Sequence, residues 1–116
     1  MSHEQSTIIK DEELILRALA AGTASIEGVG KAIGPTSLVK AVVRVTAVAA
    51  TPSIVVEIQE SDDDSTYATV ATFPAITAAG IFEQPFRAAK KYVRYKSTHA
   101  DADSITYEVL VTTPEI

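Results

Sequence analysis

The chain has 116 residues, a formal net charge of −5, no cysteine, and 47% hydrophobic side chains drawn mainly from Ala, Val and Ile. That is one domain's worth of chain with enough apolar material for a packed core, and it excludes disulfides, thiolate metal sites and a cysteine nucleophile. The negative balance argues against a general nucleic-acid binder, and the longest apolar stretch, Leu38 to Ala50, is broken by Lys40 and Arg44, so no membrane-crossing segment is expected.

The N-terminal MSHEQSTIIKDEE has neither a basic start nor an apolar run, so no signal peptide is expected. Residues 1–6 are almost wholly polar, and residues 1–12 read as an arm ahead of a domain spanning 13–116. Ile8 and Ile9 interrupt that polarity. Either they add as a short strand to the edge of a partner's sheet, or they cap one end of this domain's own core.

DEELILRALAAG, with Asp11 as a cap, acids in the first turn and Gly22 as a stop, reads by itself as a helix of about three turns. EGVGKAIGPTS, with three glycines and a proline, reads as a loop. From there on the pattern has a period of two. In LVKAVVRVTAV, Val39, Ala41, Val43 and Val45 oppose Lys40, Val42, Arg44 and Thr46; in SIVVEIQES, Ile54, Val56 and Ile58 oppose Val55, Glu57 and Gln59. With Pro52 between them, these two strands read as a hairpin.

STYATVATF alternates again, and AITAAG connects it to IFEQPF, whose Pro85 calls for an edge position or a bulge. KYVRYKST turns Val93 and Tyr95 inward and Tyr92, Arg94 and Lys96 outward. HADAD is a polar turn, and SITYEVLVTT places Ile105, Tyr107, Val109 and Val111 on one face before Pro114. Short strands at this spacing mark a sandwich or barrel. The small β-branched side chains suit a thin sheet-on-sheet core better than a roomy pocket. Ile54, Val56, Ile58, Val93, Tyr95, Tyr107, Val109 and Val111 are its expected core.

Charge is segregated along the sequence. Glu57, Glu60, Asp62, Asp63 and Asp64 form an acidic zone; Arg87, Lys90, Lys91, Arg94 and Lys96 form a basic one with no acid between Glu83 and Asp101. The two zones are either ordinary solvated strand faces or a bipolar surface able to align copies on a lattice. Counted from Asp62 as a calcium loop, the aspartates put Tyr67 and Phe73 where an EF-hand needs Gly and Glu, so a charged turn is the better reading, with a site of Glu60, Asp62 and Asp64 as the alternative.

Consecutive exposed aspartates offer no means of separating two carboxyl pKa values, which acid–base catalysis requires. His99 with Asp101 and Asp103 could catch a metal, but a lone turn histidine is usually only solvated, and His3 lies in the arm. GVGKAIG misses the dinucleotide spacing at Gly34 and lacks the phosphate-loop ending, since Ala32 follows Lys31. KKYVRYK mixes bases and aromatics as single-strand binders do, but one such strand in an acidic chain is weak support. No catalytic, cofactor or metal residues are expected.

An alternating strand running into QESDDDSTYATVATF, then ITAAG, an aromatic strand and RAAKKYVRYKST, resembles small structural proteins of tailed-bacteriophage virions, above all the capsid decoration or cement proteins. In those a strand ends in an E-S-D-D-G-S-type turn and an aromatic begins the next; here the turn is Glu60 to Thr66 and the aromatic is Tyr67. Asp64 stands where such turns often carry glycine. The likeness covers about residues 14–113, with LRALAAGTASIEGVG similar to the family's first β segment.

The resemblance implies an all-β, single antiparallel β-sandwich or jelly-roll-like domain in which residues 14–21 are strand rather than helix. It also implies a non-catalytic protein without cofactors, bound in many copies to the outside of an assembled capsid. Its partners would be the major capsid protein and further copies of itself, a trimer being favoured, with neither nucleic acid nor membrane. On that reading Ile8, Ile9, Arg87, Lys91, Arg94 and Lys96 are the expected capsid- or partner-binding positions. The alternative is a carbohydrate- or receptor-binding sandwich of a phage tail or fibre, using Tyr67, Tyr92 and Phe82 as exposed aromatics.

Overall fold

Segments whose side chains alternate can bury one face only by pairing into sheets that stack, and this chain does so twice over. The computed structural model describes residues 15–112. Its strands are β1 (Ile15–Gly22), β2 (Ile26–Glu27), β3 (Val39–Val48), β4 (Ile54–Ser61), β5 (Ala68–Thr72), β6 (Gly80–Phe86), β7 (Tyr92–His99) and β8 (Ile105–Thr112). A front sheet has the order β1-β8-β3-β6 and a back sheet the order β2-β7-β4-β5.

The topology is that of one long hairpin rolled upon itself. Antiparallel pairing joins β1 to β8, β2 to β7, β3 to β6 and β4 to β5, while the β3/β8 and β4/β7 ladders weld these pairs into two sheets. Eight strands in this arrangement form a jelly roll, so the expected all-β sandwich is the observed fold. Between the sheets lie Val39, Ala41, Val43 and Val45 of β3, Ile54, Val56 and Ile58 of β4, Val93 and Tyr95 of β7, and Ile105, Tyr107, Val109 and Val111 of β8. Every expected core residue is among them, and each such side chain contributes roughly 1.5–3 kcal/mol of transfer free energy. Phe73, Ile76, Phe86 and Leu16 close the ends.

Two local readings are corrected. The β3–β4 pair is not a hairpin: the strands lie in opposite sheets, and the chain crosses the sandwich at Ala49–Ser53, where Ala50 has φ 60° and Pro52 is buried. Their apolar faces look at each other through the core instead of lying side by side, a distinction that alternation alone does not encode. Residues 15–22 are strand, not helix, in line with what the family resemblance implied. A helix that short is marginal by itself, whereas this segment adds a whole antiparallel ladder to β8, broken by irregularities between Ile15 and Arg17 and between Arg17 and Ala20.

Pro85 sits where its missing N–H costs nothing: β6 is the edge of the front sheet, bonded only to β3. The glycine-rich loop hides an edge element. After β2 it continues irregularly along β7, with the Gly28 amide donating to the Tyr95 carbonyl at 2.8 Å, Lys31 exchanging backbone bonds with Val93, and the Gly34 amide donating to the Lys91 carbonyl at 2.9 Å.

Candidate binding surfaces

On the outer side of the back sheet, the acidic and basic zones that are separate in sequence become neighbours. The β4/β7 register sets Glu57 opposite Lys96, Gln59 opposite Arg94 and Ser61 opposite Tyr92. The Arg94 Nε donates to Gln59 Oε1 at 2.8 Å, its Nη1 lies 3.6 Å from the Glu27 carboxylate, and its guanidinium carbon sits 3.9 Å from the Tyr67 ring centre. Lys90 reaches Asp62 at 3.8 Å, and Lys91 lies 5.3 Å from the Tyr92 ring centre. The surface is therefore interleaved rather than bipolar. Of the expected contact residues, Arg94 and Lys96 share this face, while Arg87 and Lys91 stand exposed in the β6–β7 connection. Ile8 and Ile9, with the whole 1–12 arm, lie outside the described residues.

The aspartate run is a turn held by its own backbone. The Asp63 carboxylate accepts from the Ser65 and Thr66 amides, each at 3.0 Å, and from the Ser61 hydroxyl at 2.8 Å. These donors, the Thr66 amide foremost, hold its pKa below the usual 3.8. Asp64 has φ 59°, the left-handed region that a glycine would adopt freely and that aspartate tolerates better than most residues. Its carboxylate accepts from the Tyr67 hydroxyl, and desolvation, reinforced by that carboxylate, pushes the Tyr67 phenol up to about 12. A Cβ on Gly30 would lie 2.0 Å from the Tyr67 hydroxyl oxygen and 2.2 Å from an Asp64 carboxylate oxygen, so only glycine lets the opposite edge of the sheet close on this turn. Among the described residues, no three His, Asp or Glu side chains converge as a metal site.

A polar cluster inside the sandwich escaped the sequence reading. Arg17 turns inward at the irregular stretch of β1: Nε donates to the Tyr107 carbonyl at 3.3 Å, Nη1 to the Tyr95 hydroxyl at 3.0 Å, and Nη2 to the Ala20 carbonyl at 3.0 Å, with the guanidinium 4.1 Å from the Tyr107 ring centre. Beside it, the Tyr107 hydroxyl, the Ser97 hydroxyl and both His99 ring nitrogens are buried without a well-formed hydrogen bond among the described residues. Burial, then the nearby Arg17 charge, lowers the His99 pKa from 6.5; burial raises that of Tyr107. Alternation along β7 could have foretold Ser97 and His99, since both continue the inward series of Val93 and Tyr95. Nothing in the sequence marks Arg17. His99 does not join Asp101 and Asp103, because Asp103 accepts from the Thr51 amide at 3.1 Å. Nearby, a shallow open depression of about 260 Å³ is lined by Ser25, Ile26, Glu27, Lys96 and Ser97.

An antiparallel jelly roll with broad, polar-patterned faces is the class of protein that fold and surface define. No protein-family model matches the chain, and no curated protein does. Among solved structures, the PBSX exported protein XepA superposes with a TM-score of 0.58 at 22% identity, over 88% of this chain and 37% of XepA, so the chain spans well under half that protein's length. The CBM22-1–GH10 modules of Clostridium thermocellum xylanase 10B, solved with xylohexaose, match with a TM-score of 0.48 at 9% identity, over 90% of this chain and 27% of that one. The likeness to XepA is one of fold.

Proposed function

We propose that this chain is a virion structural protein that binds the outside of an assembled phage capsid and stabilises it, with the major capsid protein as its partner. The observation that carries the reading is the left-handed Asp64. The one departure from the family's turn pattern keeps the backbone conformation that a glycine would have had there, so the resemblance extends to geometry. XepA is itself a phage-related protein. The role is non-catalytic: a ligand that binds only the assembled lattice stabilises it by mass action, and many weak contacts repeated by symmetry add through avidity.

The carbohydrate-binding alternative is less well served. Of its three aromatics, Phe82 packs against the core and Tyr67 carries the Arg94 guanidinium on its ring, which leaves no open platform of stacked rings. The test is stoichiometry in purified particles, by quantitative mass spectrometry against the major capsid protein. Hundreds of copies per particle are expected; a handful would make it a tail or fibre component, and none would end the virion reading.

A further inference from the structure

The outer side of the front sheet differs in kind from that of the back sheet. Ladder register places Ile15, Leu110, Val42 and Glu83 in one row across it, and Glu108, Arg44 and Ile81 in the next, with Leu19 in the irregular stretch of β1 opposite Glu108. Ile81 is 65% exposed and Leu19 44%, while Ile15, Val42 and Leu110 are half-buried. The charged side chains in this array are matched in place: Lys40 meets Glu83 at 3.1 Å and Arg44 meets Glu108 at 2.5 Å. A chain of net charge −5 thus carries one broad face that is electroneutral and rowed with aliphatic side chains.

We propose that a second copy of this chain packs on that face, front sheet against front sheet about a twofold axis. Two copies of charge −5 repel, and a face that is neutral by local pairing is where they can meet without uncompensated acid. Because each acid has a base beside it, a twofold mate finds bases opposite its acids and acids opposite its bases, the self-complementarity that an isologous contact requires. The broad dimensions of the molecule, 46 × 34 Å, exceed the roughly 800 Å² per partner of a standard interface. Lateral pairing is the obvious competitor, and the front sheet obstructs it at both edges: β1 is irregular at two points, and β6 carries Pro85. Face-to-face packing of the kind that already joins the two sheets is what remains. This inference does not depend on the virion reading and can fail or hold separately from it.

The experiment is sedimentation equilibrium of the full chain across the micromolar range, with Val42→Lys, Ile81→Glu and, as a control on the other face, Lys96→Glu. Two copies are expected for the wild type and for Lys96→Glu, and one copy for the two front-face variants. Circular dichroism and thermal melts establish that each variant is folded. The charge-exchanged pair Arg44→Glu with Glu108→Arg leaves the face neutral and is expected to keep the dimer, so the proposal does not rest on variants that simply misfold. A wild type that stays monomeric throughout, or an association that survives both front-face substitutions, overturns it.

Discussion

The Arg94 guanidinium lies 3.9 Å from the centre of the Tyr67 ring, and that contact ties the β4–β5 turn to a strand two positions away in the sheet. Arg94 is also held by Gln59 and Glu27, so the stack is preorganised. A double-mutant cycle of Tyr67→Leu and Arg94→Met should give a coupling of about 0.5–1 kcal/mol in urea melts, the range for a partly exposed cation–π pair. A coupling of zero would mean that the two side chains merely lie close.

Alkali provides a second reading of the same turn. The folded state holds the Tyr67 phenol neutral to about 12, against an ordinary value of 10.0. Between those values the unfolded chain has released a proton that the folded chain retains, so stability falls as pH rises through that window and is complete below it. Tyr67→Phe removes the effect at this position. Tyrosinate absorbance should show one fewer late-titrating tyrosine in the variant, with Tyr107 remaining as the other.

The core register is tested from β4. Ile58→Val should cost about 1 kcal/mol and Ile58→Ala roughly 2–5 kcal/mol, because Ile58 is wholly buried opposite Tyr95. Val56→Asp buries a carboxylate with no cation assigned to it, and should leave no cooperative melt at neutral pH in a domain whose total stability is on the order of 5–15 kcal/mol. Survival of that variant with a wild-type melting temperature would contradict the inward assignment of Val56.

For Asp63 the expected effect runs the other way in pH. Its folded pKa lies below 3.8, so its contribution is present above 3.8 and disappears as pH falls through the lowered value. Asp63→Ala removes the acceptor of the Ser65 and Thr66 amides and should lower the melting temperature at neutral pH, while melting alongside wild type in strong acid. A difference between the two proteins that persists unchanged in strong acid would show that the carboxylate charge is not what holds the turn.

The parts of the fold that could be read from the sequence are those where one side chain in two is apolar. Val39 to Val45, Ile54 to Ile58, Val93 to Tyr95 and Ile105 to Val111 announce their buried faces, and Pro85 announces its edge. Alternation says which face is buried but not which strand lies beside it, so the β3–β4 crossing was missed, and with it the meeting of Glu57 with Lys96 and of Gln59 with Arg94. For β1, intrinsic propensity pointed to helix, and only an unpaired β8 edge, a tertiary fact, makes it strand. Likewise Arg17 enters the interior through strand irregularities that no residue pattern in LRALAAG specifies.

His99 is the titratable group that this interior exposes to test. Both ring nitrogens are buried without a well-formed hydrogen bond among the described residues. The Arg17 guanidinium faces it from β1, the Tyr107 ring borders it from β8 across the space left by Gly22, and Asp101 on its own turn provides the opposing negative charge. Burial and Arg17 together hold its pKa below 6.5 in the folded chain. The unfolded chain therefore takes up the proton first, and stability, complete above 6.5, falls as pH drops from 6.5 toward the lowered folded value. Denaturation midpoints measured on either side of 6.5 should show that slope in the wild type and not in His99→Gln, which isolates this residue from His3. Arg17→Met should move the titration upward, because the like charge is gone, and imidazole proton shifts in NMR would report that movement directly. A wild-type midpoint as flat across this range as that of His99→Gln would show that folding leaves the His99 pKa unchanged.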